Sequence, residues 1–143
     1  MIIIKVNNEK NLHKFNNMKK DGKMIVVFVA DWCGHCQHLK PIWNSMIKTL
    51  KKDNCKGIVA MIYSDYRDRV NISHNCDGYP TIRLYKNGNK YKDWDEDWTK
   101  NGHLEKKMKI FLKSSRKNSR TKKITRRKRK KKKRKTKRRK IKK

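Results

Sequence analysis

The sequence has no long apolar run and few acidic residues, and each absence argues against a class of protein. No stretch approaches the roughly 20 apolar residues of a membrane-spanning helix, so we expect no transmembrane segment. Residues 1–7 lack the apolar core and the small-residue cleavage site of a signal peptide, which predicts synthesis in the cytosol. Only 12 Asp and Glu stand against 43 Lys and Arg, for a formal net charge of +31. We therefore expect a strongly basic cytosolic protein.

Cysteine is also sparse, and its one CxxC pair has the spacing that zinc sites use without the further ligands that zinc needs. A secreted disulfide scaffold is smaller and denser in cysteine than this chain. Cys33 and Cys36 form a CxxC pair, but zinc needs two further ligands. No second CxxC or HxxxH pair is present, and His38, Cys55 and Cys76 are scattered. We therefore expect neither a metal nor a cofactor, with structural zinc and an unreactive dithiol as the alternatives.

The charge divides the chain into two parts. Residues 114–143 hold 21 Lys and Arg, no acidic residue, and almost nothing apolar apart from Ile124 and Ile141. Like charges repel and too few apolar side chains are present for a core, so we predict a disordered Lys/Arg-rich tail over 114–143. Residues 1–113 are long enough to bury one hydrophobic core. We predict a single domain there and a monomer in solution.

Hydrophobic periodicity in residues 1–113 predicts an α/β domain. Apolar or alternating runs predict strands at residues 2–6, 24–30, 58–63, 81–85 and 90–92. Apolar stripes predict one helix after Asn7 or Asn8, another over residues 36–50 and a last one over residues 103–113, with a short irregular helix within 64–75. The order is βαβαβαββα, with parallel strands first and an antiparallel hairpin, turning at Asn87-Gly88, near the end.

The residues between the second strand and the second helix carry the clearest chemical signal. Trp32, Cys33, Gly34, His35 and Cys36 stand in a row at this point. At a helix N-terminus, free N–H groups and the positive end of the dipole favour a Cys33 thiolate, and protonated His35 adds positive charge. Cys36 is one turn deeper, close enough to form a Cys33–Cys36 disulfide and more shielded from solvent. The arrangement predicts two-electron thiol–disulfide exchange.

Three segments in this order and spacing resemble the protein disulfide isomerase-type domains of the thioredoxin family. Residues 31–43, with the sequence DWCGHCQHLKPIW, resemble the active-site segment of these domains. Residues 78–81 (GYPT) resemble a cis-proline loop that faces the CxxC motif, and residues 86–88 (KNG) resemble the family's hairpin. The resemblance covers about residues 1–113. It implies a thioredoxin-like fold, with a central mixed β-sheet flanked by helices, and a protein disulfide oxidoreductase or isomerase-like enzyme.

The resemblance also implies roles for individual residues. Cys33 is the attacking thiol, Cys36 the resolving thiol, and Pro80 a cis-proline that exposes the Tyr79 backbone to a substrate chain. An ordinary trans proline before a strand is the alternative for Pro80. The implied catalytic set is Trp32, Cys33, Gly34, His35, Cys36 and Pro80, and the implied substrate-binding set is Trp32, Tyr79 and Pro80. The expected partners are proteins that carry disulfides or thiols.

The chain departs from the family pattern at several positions. Val27 stands where family members usually carry a buried acid that moves the proton of the second thiol, and Met61 stands at its frequent lysine partner. Proton transfer from Cys36 must then use water or another group. Cys76 replaces a usual apolar residue; we interpret it as a small hydrophobe, with a third redox thiol as the alternative. Cys55 is expected to be an exposed thiol without a fixed role.

The basic tail is predicted to bind nucleic acid without sequence preference. Its affinity would come from counterion release, and it has no aromatic side chain for base stacking. The same run matches a nuclear import signal. A solvated tail and attraction to an anionic membrane are the alternatives. The candidate nucleic-acid-binding residues are Arg126, Arg127, Lys128, Arg129, Lys130, Arg134, Arg138 and Arg139.

The motif and the predicted compartment conflict. His35 stabilises the thiolate and so favours a more oxidising couple, whereas the cytosol is reducing. Disulfide formation in a particle assembled in the cytosol, as in large DNA viruses, would resolve the conflict. Lys, Asn and Ile make up 58 of the 143 residues, which is typical of an AT-rich genome. The nucleus or a virion is then the destination. The rival hypothesis is a nucleic-acid-binding or packaging protein with a thioredoxin-like body as structural carrier.

Overall fold

A five-stranded mixed sheet organises residues 1–114, the part of the chain that the computed structural model describes. The strands are β1 (Ile2–Val6), β2 (Lys23–Val29), β3 (Ile58–Tyr63), β4 (Thr81–Lys86) and β5 (Asn89–Asp93). The helices are α1 (Glu9–Asn17), α2 (Gly34–Lys52), α3 (His103–Lys113) and a 3₁₀ helix (Ser64–Arg69). The predicted order of elements is confirmed, and the predicted tail lies outside the described residues.

The strand order is β1-β3-β2-β4-β5. β1, β3 and β2 run parallel, β4 pairs antiparallel with β2, and β5 pairs antiparallel with β4. β2 has a neighbour on each side and is buried from Met24 to Val29, because its run of apolar, β-branched residues suits a strand that is covered on both faces. The strand therefore ends at the centre of the sheet, and the CxxC motif follows directly.

The sheet separates two hydrophobic cores. On one face, Ile25, Val27 and Val29 belong to the core that includes α2 and α3. On the other face, the alternate residues of β2, such as Val26 and Phe28, belong to the core that includes α1. No helix among residues 1–114 is both long and apolar enough to span a bilayer.

A buried polar network ties the segment before Pro80 to the end of the sheet. Arg83, with 2% of its surface exposed, is the one charged side chain buried within residues 1–114. Its guanidinium donates hydrogen bonds to Asp93 Oδ1 at 2.5 Å, to the Ser73 carbonyl at 3.1 Å and to the Asn75 carbonyl. The Tyr85 hydroxyl also donates to the Ser73 carbonyl. These bonds hold residues 73–75 against β4, and the loop that contains Pro80 follows them.

Candidate active site at the CxxC motif

Cys33 lies where β2 has ended and α2 begins. It is the N-cap of α2, and its Sγ accepts a hydrogen bond from the Cys36 N–H at 3.2 Å. The side chain is 6% exposed. A sulfur at this position faces the unpaired N–H groups and the positive dipole end of a 19-residue helix.

Cys36 lies one turn deeper and is completely buried. Burial, and then its hydrogen bond with Cys33, raise the pKa of the Cys36 thiol to about 11. With its pKa raised in this way, Cys36 is a neutral thiol near pH 7. The motif thus contains one sulfur at the helix start and one buried thiol that must lose a proton before it can attack.

The loop after residue 75 completes the site from the opposite side. The Cys33 thiol donates to the Tyr79 carbonyl at 3.4 Å, and the Tyr79–Pro80 peptide bond is cis. The Tyr79 ring packs edge-on against Trp32, with 5.8 Å between ring centroids, and Trp32 is 78% exposed. The structure thereby places Trp32, Tyr79 and Pro80, the residues of the predicted substrate-binding set, beside the first sulfur.

The other two predicted residues of the motif lie in the first turn of α2. Gly34 and His35 are both exposed, so each faces solvent rather than the core. His35 is directly bonded to Cys36 and two residues from Cys33. The predicted tail residues, Arg126 to Arg139, lie outside the described part of the chain.

Arg67 is a residue of this region that the sequence analysis missed. Its guanidinium lies 5.9 Å from the centroid of the Tyr79 ring, and its Nη1 donates to Cys76 Sγ at 3.5 Å. Cys76 is half-buried and packs against the core on the α1 side. The position of Arg67 depends on how the 3₁₀ helix meets the loop, and no sequence pattern signals that contact.

Within residues 1–114, the core beneath the motif holds no acidic side chain in place of the family's buried acid. Val27 and Met61 are paired across β2 and β3, and both belong to the core cluster that contains Cys36. Cys55 is in this cluster as well and only 4% exposed, so the expectation of an exposed thiol is wrong. Its N–H donates to the Leu50 carbonyl at 3.0 Å, which turns the chain after α2 and places the side chain inside.

All four cysteines are free thiols in this structure. Within residues 1–114, no three His, Cys, Asp or Glu side chains are grouped so that they could hold a metal ion. Among the described residues, the dithiol at the start of α2 is therefore the candidate reactive group. It lies beside the Tyr79 carbonyl and the Trp32–Tyr79 ring pair.

The family model described as Thioredoxin matches residues 3–110. The chain belongs to the thioredoxin family. Among relatives of this thioredoxin-family chain, the thioredoxin domain-containing protein 5 homolog of Drosophila melanogaster is 35% identical over 74 residues, 52% of this chain and 18% of that protein. The protein disulfide-isomerase A6 of Mus musculus is 36% identical over 78 residues, 54% of this chain and 17% of that protein.

A solved structure gives the same fold. A mutant thioredoxin from Halobacterium salinarum aligns with a TM-score of 0.57 and 19% identity, over 80% of this chain and 94% of that chain. The predicted thioredoxin-like fold is thus confirmed, as is the resemblance to disulfide isomerase-type domains. The thioredoxin-family chain spans about a fifth of the length of the curated relatives it matches.

Proposed function

We propose that this protein is a thiol–disulfide oxidoreductase that uses Cys33 and Cys36 as its redox pair. The observation that carries the proposal is the position of the Cys33 sulfur. It caps α2, accepts the Cys36 N–H bond and lies 3.4 Å from the Tyr79 carbonyl, beside an exposed tryptophan. A sulfur so placed has a backbone donor at the helix start, a second thiol three residues away, and the exposed Trp32 ring beside it for contact with a second protein chain.

The proposed reaction has two displacement steps. The Cys33 thiolate attacks one sulfur of a substrate disulfide, a bond forms between Cys33 and that sulfur, and the other substrate sulfur leaves as a thiolate that takes a proton from water. Cys36 then loses its proton and attacks Cys33 Sγ, which forms the Cys33–Cys36 disulfide and releases the second substrate thiol. Two electrons pass from the protein dithiol to the substrate, and the reverse sequence oxidises a substrate dithiol.

The substrate surface is proposed to be the exposed ring of Trp32 together with the Tyr79–Pro80 loop. A substrate chain that pairs with the backbone at Tyr79 would present its sulfur to Cys33, because the Tyr79 carbonyl already contacts that sulfur. The names of the relatives, such as protein disulfide-isomerase A6, agree with protein substrates. Protein disulfides and thiols are therefore the proposed substrate class.

Insulin reduction tests the proposal. Full-length protein with dithiothreitol should accelerate insulin precipitation over dithiothreitol alone, and Cys33→Ser should abolish this acceleration because no attacking sulfur is left. Cys55→Ala is the matched control, since Cys55 is a buried cysteine that is not part of the CxxC pair. An unchanged rate in Cys33→Ser, or equal losses in both variants, would contradict the redox role of the motif.

We also propose that residues 114–143 bind nucleic acid and direct the protein to the nucleus or a virion. The support is compositional: 21 basic residues without one acidic residue make a polyelectrolyte that releases counterions from phosphate backbones. Comparing the localisation of fluorescent fusions that contain or lack the tail tests nuclear targeting. In the competing proposal, a packaging protein with an inert thioredoxin-like body, insulin reduction would be absent while nucleic-acid binding persisted.

A further inference from the structure

The second step of the proposed reaction requires a buried thiol to lose its proton in an apolar setting. Cys36 is fully buried, and the strand residues beneath it, Val27 and Met61, are apolar. The one buried charged side chain in the described part, Arg83, is engaged with Asp93 and with backbone carbonyls before the Pro80 loop. The Cys36 thiolate therefore needs stabilisation from some other group.

Lys40 is placed to stabilise the Cys36 thiolate. It lies four residues after Cys36 on α2, and residues at this spacing are neighbours on one helix face. The side chain is half-buried, and its Nζ lies 5.5 Å from the centroid of the Tyr63 ring at the end of β3. Tyr63 pairs with Val29, the last residue of β2 before the motif. The contact with Tyr63 thus holds the ammonium beside the ends of the two strands that underlie the site.

The groups around Cys36 give Lys40 a distinct electrostatic effect. Burial and the neighbouring Cys33 raise the pKa of the Cys36 thiol, whereas a backbone hydrogen bond with Ala30 and the charge of Lys40 lower it. The core elements packed against Cys36 present Val27 and Met61, which carry no charge. Lys40 is the one cationic side chain among the groups that shift the pKa of Cys36.

We propose that Lys40 is a positioning residue for the second step, where its ammonium stabilises the Cys36 thiolate in place of the buried acid that this chain lacks. The inference rests on the proposed redox function. Cys36 gives its proton to water, its thiolate attacks Cys33 Sγ within the mixed disulfide, and the departing substrate thiolate takes up a proton. Lys40 takes no part in the proton and electron transfers, so its contribution is its charge alone.

Single-turnover kinetics with dithiodipyridine separate the two steps. This neutral disulfide releases one thiopyridone when Cys33 attacks and a second when Cys36 resolves the mixed disulfide. Reduced full-length protein, with Cys55 and Cys76 replaced by Ser, is mixed with one equivalent of the probe. Cys36→Ser in the same background should show the first release alone. Absence of the first release from the parent protein would overturn the proposed function, and this inference with it.

Lys40→Met should slow the second release by about two- to tenfold and leave the first nearly unchanged, since one nearby charge shifts a thiol pKa by up to about one unit. The pH profile of the second release should move to higher pH in Lys40→Met and stay in place in Lys40→Arg. Lys48→Met is the matched control, because Lys48 is an exposed lysine on the same helix. Parallel slowing of both releases, an unaffected second release, or a Lys40→Arg variant as slow as Lys40→Met would overturn the proposal.

Discussion

At the scale of single residues, the two sulfurs of the motif differ because one turn of helix separates them. Cys33 is at the helix N-terminus with a backbone donor, whereas Cys36 is inside the core. The same local geometry thus gives one sulfur with a backbone donor at the helix start and one fully buried thiol, from a sequence in which both are simply cysteine. Two predictions test this asymmetry.

The Cys36 thiol should ionise well above the ordinary cysteine value. Its pKa is about 11 against an ordinary value of 9.0, chiefly because burial disfavours the thiolate. The unfolded chain loses this proton at lower pH than the folded chain, so the contribution of Cys36 to stability is present below pH 9 and is lost as pH rises through about 11. NMR of reduced protein with isotope-labelled cysteine checks this, and a midpoint at or below 9 would refute the assignment.

His35→Pro should make the Cys33–Cys36 couple more reducing, by on the order of 30 mV, which corresponds to ~1.4 kcal/mol for two electrons. An imidazolium beside a thiolate stabilises the reduced form, and proline has no group that can take this charge. Equilibration with glutathione measures the potential. His38→Gln removes another exposed histidine of α2 and should leave the potential unchanged. A His35→Pro variant whose reduction potential is unchanged or less negative would show that His35 does not set the potential of the Cys33–Cys36 pair.

At the scale of elements, the site depends on how a loop is held against a helix start. The loop with Tyr79 has no regular secondary structure of its own, and the preceding residues are held by Arg83 and Tyr85 from β4. A buried guanidinium that donates to two backbone carbonyls and a carboxylate satisfies groups that would otherwise be unpaired. The sheet thereby fixes the segment that leads to the active-site loop.

Arg83→Met should lower the free energy of unfolding by about 2–4 kcal/mol, because two carbonyls and the Asp93 carboxylate lose charge-assisted hydrogen bonds. Denaturant titration measures the change. The matched control is Lys5→Met, an exposed cation on the edge strand β1, where a surface substitution should shift stability by less than about 0.5 kcal/mol. Equal shifts in the two variants would mean that the Arg83 network adds no stability.

At the scale of the whole molecule, the sequence predicted the parts that depend on local patterns. The β2 run, the stripe of α2 and the Asn87-Gly88 turn each carry a periodicity or turn signal, and their elements are present. The contact between Arg67 and Cys76 and the burial of Cys55 were not predicted. Both depend on how separate segments meet in three dimensions. Cys55 was expected to be exposed because its neighbour in the sequence, Lys56, is polar.

The charge separation predicts that the two proposed functions are modular. Residues Met1–Lys113 form a compact unit, so truncation after Lys113 should leave exchange with a small disulfide intact and abolish binding to duplex DNA. Full-length binding should weaken steeply with salt, by about one log–log unit per phosphate contact, and should show little sequence preference. Filter binding across a salt series measures both. Retained duplex binding after truncation, or salt-independent binding by the full chain, would contradict the tail's role.

The reduction potential of the Cys33–Cys36 pair is the most direct test of the redox account. Full-length protein is equilibrated in glutathione buffers of graded ratio, and its disulfide is located by peptide mass mapping. We expect one two-electron transition that joins Cys33 to Cys36, at roughly −180 to −230 mV, the range of protein disulfide isomerase and the glutaredoxins. A potential below about −300 mV would indicate a structural disulfide, and failure of Cys33 and Cys36 to pair would contradict the account altogether.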